Sequence, residues 1–265
     1  MFLLTRHERK AWRTRLNRKR ITRLAEVQTT PTRRETGIVI SIMLTTKPDP
    51  QRGEKISAHY ADYLRPWWTT VNRVGLSGVV LHDGLPEVFT NSATTDHVHF
   101  CQVEPGEWPI LHDRHRLCRD YLLECEAPFV FVTDISDVAF KHDPFSLIEQ
   151  DQDNHRIFLG SEEKRIGESR CLRQEMTTQF GSVLHADRQV INPGIIGGKR
   201  TEVIELLSHI IDCISGQSQL VNSDMSLVNK VVHDHYAPGE IFTGFPLHSQ
   251  FKKWQYHSKA AILHK

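Results

Sequence analysis

A chain of 265 residues that is 39% hydrophobic and 25% charged can bury a sizeable core, as one large globular domain or two small ones. We expect no membrane span, because no segment reaches the roughly 18 to 20 consecutive apolar residues that a span needs. The five cysteines are odd in number and scattered, with no CxxC spacing, which favours a reducing, cytoplasmic location.

Charge is distributed unevenly along the chain. Residues 1–36 hold 11 Lys or Arg against 3 Asp or Glu, whereas residues 37–265 hold 22 against 29. We expect residues 1–36 to form a basic extension, which is either solvated and poorly ordered or bound peripherally to an anionic membrane surface. A basic arm for nucleic acid is a third alternative, which the acidic body disfavours because it offers no second basic surface. Residues 37–265 are predicted to form a single domain.

Strands and helical segments alternate from residue 37 onward. Apolar runs predict strands at 37–44, 78–84, 98–103, 128–133, 156–163, 190–199 and 259–265. Helices are expected around Trp67, at 113–125, from Pro144, at 201–214 and from about Asn222. The alternation predicts an α/β fold with a doubly wound, mostly parallel central sheet flanked by helices. The polar segment from 164 to 189 is weakly periodic, so we expect an irregular lid or substrate-binding loop there.

Two carboxylates stand where the central apolar run ends. Residues 128–133 have the pattern of a strand buried on both faces, and Asp134 and Asp137 follow it. A turn at 135–136 would bring both acids to one point at the carboxyl end of the strand, where α/β sheets bind ligands. Converged carboxylates repel each other unless a cation lies between them, and Mg²⁺ or Mn²⁺ shared with a diphosphate suits such ligands. The alternative is that Asp134 caps the turn and Asp137 is only solvated.

A buried cation and a glycine-rich strand are further candidates. Arg114 shares the inward face of its helix with Leu117, near the helix N-terminus, which suits a diphosphate. The alternative is that Arg114 pairs with a nearby acid or reaches solvent. The strand at 190–199 is flanked by glycines, which permit close approach of the backbone to a ligand, unless they only mark ordinary turns.

Two late segments also carry polar residues. Ser223 or Asp224 precedes a helical stretch and is a candidate N-cap. The last apolar run ends in His264 and Lys265. His264 is either a surface residue or a metal ligand that joins the central carboxylates, and Lys265 would then meet phosphate charge.

These motifs occur in a fixed order. An Asp-x-x-Asp ends the central strand at 134–137, an Asn-x-Gly-Ile-x-Gly-Gly segment spans 192–198, an Asp precedes an Asn by five residues at 224–229, and the last strand ends in His264. The order resembles the nucleotide-sugar-dependent glycosyltransferases of the GT-A fold, especially the glycogenin-like and galactosyltransferase-like families. The resemblance covers about residues 37–265. It implies a GT-A domain that transfers a sugar from a nucleoside-diphosphate sugar, expected to be uridine-linked, to a hydroxyl acceptor in glycan or polysaccharide synthesis.

The resemblance also implies partners and site residues. The partners would be a nucleotide-sugar donor and a glycan, lipid-linked or protein acceptor, with Mn²⁺ or Mg²⁺ as cofactor. The metal ligands would be Asp134, Asp137 and His264, with Asp137 as the direct ligand and Asp134 serving the ion or the ribose. The donor would meet Thr45, Asp83, Arg114, Asp134, Asn192, Gly194 and Lys265. Two residues rather than one separate the acids, which departs from the family pattern and leaves both acids open as the direct ligand.

The chemistry of such a transfer assigns roles to two more carboxylates. Cleavage of a sugar–diphosphate bond builds negative charge on the nucleotide and oxocarbenium character on the sugar. If the reaction inverts the anomeric configuration, Asp224 or Glu162 would deprotonate the acceptor hydroxyl. If it retains the configuration, Asp224 would steady the oxocarbenium face, and Asn229 is implied to support Asp224 in either case.

Two other enzyme classes fit parts of the pattern. A sugar nucleotidyltransferase shares the sheet and the acid pair, but its Gly-rich phosphate loop is not present after the first strand, where the chain has Thr45-Thr46-Lys47-Pro48. A zinc hydrolase is suggested by sixteen histidines, which include the pairs His97/His99 and His233/His235 at a spacing that shares a strand face. No HExxH set supports it.

Overall fold

The computed structural model describes residues 37–48, 59–151, 153–248 and 259–264, so the predicted basic extension lies outside the described residues. The strands of this part are β1 (Gly37–Met43), β2 (Ser77–His82), β3 (Val98–Gln102), β4 (Phe129–Thr133), β5 (Val138–Phe140), β6 (Ile157–Arg165), β7 (Gln189–Lys199), β8 (Ile241–Thr243), β9 (Leu247–His248) and β10 (Ile262–His264). Its helices are α1 (Tyr60–Val74), α2 (Glu87–Ala93), α3 (Ile110–Glu124), α4 (Phe145–Asp151), α5 (Arg170–Phe180), α6 (Arg200–Ser215) and α7 (Met225–His235).

Seven of these strands form one mixed sheet in the order β3-β2-β1-β4-β7-β6-β8. Every neighbouring pair is parallel except the two pairs that β7 makes with β4 and with β6. Helices cover both faces, with α1 on one face and α3, α6 and α7 on the other. The predicted α/β class with a mostly parallel, helix-flanked sheet is therefore confirmed.

The central strand β4 is buried on both faces. Successive strand residues point to opposite faces of a sheet, so Phe131 joins a core that contains Trp67 of α1. Val130 and Val132 join a second core that contains Leu206 of α6. This two-sided burial explains why residues 128–133 show no polar alternation.

The strand order reverses at β1. After β1 the chain forms β2 and β3 on one side, and it then returns to place β4 on the other side. Such a reversal leaves a crevice at the carboxyl ends of the two central strands, where open α/β sheets bind ligands. Thr45 lies just beyond β1 and Asp134 directly follows β4, so both residues stand at this crevice.

A second sheet contains β5, β10 and β9 and was not predicted from the sequence. In it β10 pairs antiparallel with β5, and His264 stands opposite Val138. Ile262 and Phe140 are fully buried in the core that contains Trp67, which fixes the small sheet to the large one. The pairing brings a residue from the last strand next to the segment that follows β4.

The prediction of an irregular segment from 164 to 189 was wrong. This segment contains a one-turn 3-10 helix, Ile166–Glu168, and the eleven-residue helix α5. Leu172 and Met176 of α5 pack with Ile166 and with Val190 of β7. Only these two residues of α5 are buried, which is why the helical period was too weak to be recognised.

Within the ranges that the structure describes, no helix is long and apolar enough to cross a membrane. All five cysteines are free thiols. Burial raises the pKa of Cys118 to about 12, so this thiol packs as a small apolar side chain and is not a nucleophile at neutral pH.

Candidate metal centre

Three predicted ligands converge at the carboxyl end of β4. One ligand atom from each of Asp134, Asp137 and His264 can be chosen such that all three lie within 4.8 Å of one another. Nε2 of His264 is 3.3 Å from Oδ2 of Asp134 and 3.8 Å from Oδ1 of Asp137. The two acids lie in the turn between β4 and β5, and the pairing of His264 with Val138 places the imidazole beside that turn. His264 thus faces the same point as Asp134 and Asp137, which precede it in the sequence by 130 and 127 positions.

An irregularity in β7 supports this arrangement. Leu159 of β6 pairs with Ile196 of β7, but the next residue of β6 pairs with Asn192, so residues 193–195 are not paired with β6. Gly194 lies in this bulge, its carbonyl oxygen accepts a hydrogen bond from the amide of Asp134 at 3.0 Å, and its own amide donates to Oδ1 of Asn192 at 3.0 Å. Pro193 cannot donate to the strand ladder, which favours a bulge at this position.

Gly194 also provides the space for His264. A Cβ built on Gly194 would lie 2.1 Å from Cε1 of His264, closer than any two such carbons can approach. We expected this glycine to allow close approach of the backbone to a ligand molecule. In the structure the group that approaches the glycine is the candidate metal-ligating imidazole itself.

Arg114 of α3 lies between the acid motif and a second carboxylate. Its Nη1 donates to Oδ1 of Asp134 at 2.5 Å, and its Nε and Nη2 donate to Oδ2 of Asp224 at 2.9 and 2.6 Å. Burial alone would raise the pKa of Asp134, but Arg114 and His264 outweigh it and hold that pKa well below its usual value. Asp134 is therefore ionised at neutral pH.

Asp224 is buried, with only 3% of its surface exposed. It occupies the N-cap position of α7, but its side chain does not cap the helix. Its Oδ2 instead meets Arg114 and also Nε2 of His115 at 2.8 Å. Burial would raise the pKa of Asp224, yet Arg114 and His115 lower it on balance, so the carboxylate accepts and His115 donates. The side chain of Asp224 is therefore not available as an N-cap of α7. Oγ of Ser223 instead accepts a hydrogen bond from the backbone amide of Met225 at 3.1 Å.

Two further groups near Asp224 were missed from the sequence. His112, one turn before His115, is fully buried, and both of its ring nitrogens have no hydrogen-bond partner among the described residues. Burial lowers the pKa of His112 to about 4. Glu175 of α5 also lies near Asp224, and burial raises its pKa on balance. His112, His115 and Cys118 follow one another at intervals of three residues, which places them on one face of a helix. Since Cys118 was expected on the inward face, this spacing could have identified both imidazoles as inward-facing.

Glu162 lies in a second irregular stretch, at the carboxyl end of β6. Ser161 pairs with Ile191, whereas the next paired residue of β6 is Arg165. Glu162 is half-buried, and burial raises its pKa although the positive charges of Lys164 and His264 oppose that shift. A half-buried carboxyl group with a raised pKa suits a proton acceptor.

The residues predicted to meet the nucleoside contact each other. Oδ1 of Asp83 accepts the amide of Thr45 at 2.6 Å and its hydroxyl at 3.1 Å, and Oδ2 accepts the amide of Thr46 at 3.0 Å. Burial would raise the pKa of Asp83, but these hydrogen bonds lower it on balance. Asp83 therefore joins the loops after β1 and β2 beside the crevice. Lys265 lies outside the described residues.

The structure corrects two other assignments. Asn229 was expected to support Asp224. Instead its Oδ1 accepts from the backbone amide of Ile191 and its Nδ2 donates to the carbonyl oxygen of Ile191, both at 2.8 Å, so Asn229 fixes β7 to α7. His233 and His235 lie on α7, where residues two apart do not share a face, so they cannot form the strand-like pair considered for zinc.

The donor set of the centre has the chemistry of a divalent-cation site. It offers two carboxylate oxygens and one imidazole nitrogen, which leaves further positions of a six-coordinate ion open. Carboxylates suit Mg²⁺ and Mn²⁺, and the nitrogen ligand favours Mn²⁺ of the two. Burial would lower the pKa of His264, but its hydrogen bond to Asp134 and the charges of Asp134 and Asp137 raise it on balance, so a proton would compete with a cation for the imidazole.

No protein-family model matches the chain, and no curated protein matches it. The GT-A resemblance therefore remains a prediction from the motifs. A fold class by itself does not identify a function, so any functional assignment depends on the geometry of the candidate metal centre.

Proposed function

We propose that this protein is a metal-dependent glycosyltransferase that uses a nucleoside-diphosphate sugar, with uridine as the nucleoside, and transfers the sugar to a hydroxyl acceptor. The observation that carries the proposal is the convergence of Asp134, Asp137 and His264 at the crevice where the strand order reverses. The α/β sheet with an acid motif at the end of its central strand is compatible with the GT-A fold. The acceptor is proposed to be a glycan, a lipid-linked sugar or a protein.

The residues of the centre divide the work of donor binding. Asp134, Asp137 and His264 would hold the cation, which when bound supplies Lewis-acid neutralisation of the diphosphate. Arg114 lies beside Asp134 and carries a buried positive charge that a diphosphate can also engage. The Thr45–Asp83 contact shapes the crevice on the side of β2, where we propose that the nucleoside binds.

The acid–base roles of Asp224 and Glu162 follow from their hydrogen bonds and from the direction in which their pKa values are shifted. Oδ2 of Asp224 already accepts from Arg114 and His115, and the carboxylate has a lowered pKa, so it is a poor proton acceptor. Glu162, by contrast, has a pKa that burial raises, which suits a proton acceptor. For an inverting transfer we therefore assign deprotonation of the acceptor hydroxyl to Glu162 rather than to Asp224. For a retaining transfer, Asp224 is the carboxylate assigned to electrostatic stabilisation of the sugar.

One observation disfavours a nucleotidyltransferase. Nζ of Lys47, in the loop after β1, donates to the carbonyl oxygens of Gly106 and Trp108 and lies 3.4 Å from Oδ2 of Asp113. This lysine fastens two loops together, whereas a nucleotidyltransferase would need a basic phosphate-binding loop at that position.

The test is a panel of nucleotide sugars assayed for slow hydrolysis by the full-length protein, with Mn²⁺ and with a chelator. We expect turnover of at least one uridine-linked sugar with Mn²⁺, and no turnover with the chelator. Equal turnover with Mn²⁺ and with the chelator would contradict a metal-dependent transferase. Absence of turnover of every nucleotide sugar, even after sugar and alcohol acceptors are added to the assay, would also contradict it.

A further inference from the structure

Arg114 is shared between two carboxylates that have different surroundings. Asp134 belongs to the candidate metal centre, and its side chain is 32% exposed, whereas the side chain of Asp224 is only 4% exposed. The guanidinium gives one N–H to Asp134 and two to Asp224. Its own side chain is 13% exposed, so little water is present to replace its contacts with Asp224, whereas Asp134 is partly hydrated.

We infer that Arg114 is an internal counter-ion that competes with the divalent cation for Asp134. This inference rests on the cation site of the proposed function. In the structure Oδ1 of Asp134 accepts from the guanidinium at 2.5 Å and Oδ2 lies 3.3 Å from His264, so both oxygens of this carboxylate already face positive or proton-donating groups. A cation that binds Asp134 has to share the carboxylate with a fixed positive charge, and two like charges on one carboxylate repel each other.

Asp224 sets the strength of this competition. It takes two of the three carboxylate contacts of Arg114 and so draws the guanidinium away from Asp134. Without the negative charge of Asp224, Arg114 would have Asp134 as its single anionic partner among the described residues that it contacts. A diphosphate has the same effect as Asp224, because it offers the guanidinium another anion. Arg114 therefore makes the centre bind a cation weakly alone and more tightly together with a diphosphate.

The test measures binding of Mn²⁺ alone to the full-length protein by calorimetry, without donor or turnover. Loss of Arg114 alone would leave the buried carboxylate of Asp224 without its cationic partner and with only the contact to His115 that the described residues supply, so the first variant is the double substitution Arg114→Gln with Asp224→Asn, which removes both charges of the buried pair together. We expect this protein to bind Mn²⁺ about tenfold more tightly than the wild type. The second variant, Asp224→Asn alone, should bind Mn²⁺ several-fold more weakly. Arg119→Gln is the matched control, because Arg119 lies on the same helix and, within the described part of the chain, pairs with Asp120 and not with the candidate ligands.

The opposite signs of the two effects separate competition from general damage to the fold, which would weaken binding in both variants. Unchanged or weaker binding by the double variant, with clear binding by the wild type, overturns this inference and leaves the proposed function standing. Absence of Mn²⁺ binding in all four proteins overturns both the inference and the proposed metal site. Thermal unfolding with and without Mn²⁺ gives an independent readout, and the stabilisation by Mn²⁺ should be larger in the double variant.

Discussion

Gly194 lies directly beneath the imidazole of His264, with room for a hydrogen atom but not for a methyl group. The glycine belongs to the bulge of β7, and the imidazole arrives on β10 of the other sheet. The contact therefore joins the two sheets at the point where the three candidate ligands meet.

We expect Gly194→Ala to weaken Mn²⁺ binding by at least about tenfold, because the new methyl group displaces the imidazole from the two carboxylates. Calorimetric titration with Mn²⁺ measures the effect. Gly239→Ala is the control, since a Cβ on Gly239 meets no atom within 4 Å. Unaltered Mn²⁺ affinity in Gly194→Ala would mean that His264 is not a ligand.

Asp137→Ala should abolish the chelator-sensitive hydrolysis of nucleotide sugars and leave thermal unfolding nearly unchanged. The side chain of Asp137 is 37% exposed, so its removal creates little cavity and no large loss of stability. Activity and the melting temperature are measured on the same preparation. A shift of the melting temperature by many degrees would instead assign Asp137 a role in the fold.

Asn229→Ala should reduce the free energy of unfolding by about 3 kcal/mol, because it leaves the buried amide and carbonyl of Ile191 without partners. Chemical denaturation measures this loss. Asn154→Ala serves as the control, since Asn154 is exposed and its side chain bonds the side chain of Asp151 at 2.9 Å, and it should change stability by less than about 0.5 kcal/mol. Equal effects of the two substitutions would contradict the role of Asn229 in fixing β7 to α7.

His112 should make the protein less stable in weak acid. Its pKa is lowered from 6.5 to about 4 in the folded protein, so the unfolded state binds the proton first. The stabilisation is fully present above pH 6.5, is lost as the pH falls from 6.5 towards 4, and amounts to about 3 kcal/mol over that range. The measurement compares the unfolding free energy of the wild type and of His112→Leu between pH 7 and pH 4. A difference between the two proteins that does not change with pH would show that His112 is not buried in its neutral form.

The sequence was most informative where burial is two-sided. Phe131 and Val132 of β4 face opposite cores, and this produced the apolar run that marked the central strand and the acids behind it. By contrast, β5, β9 and β10 contain three, two and three residues, and their pairing depends on contacts far apart in the sequence. No local pattern encodes such pairing, so the second sheet could not be predicted although the role of His264 was proposed.

The candidate site shows the same division. Asp134 and Asp137 could be recognised from their place after a strand, and their convergence needed only a turn. The partners of Arg114 could not, because Asp224 is 110 residues away along the chain. The motifs named most of the residues of the centre, whereas the ion pairs that decide their charge states required the tertiary structure.

The late position of β10 in the sequence has a consequence for assembly of the candidate cation site. Asp134 and Asp137 precede His264 by 130 and 127 residues, and among the described residues all seven strands of the large sheet precede β10 in the chain. The strands of the large sheet can thus pair before β10 brings His264 to the candidate cation site. Docking of β10 would then be the step that completes the candidate donor set.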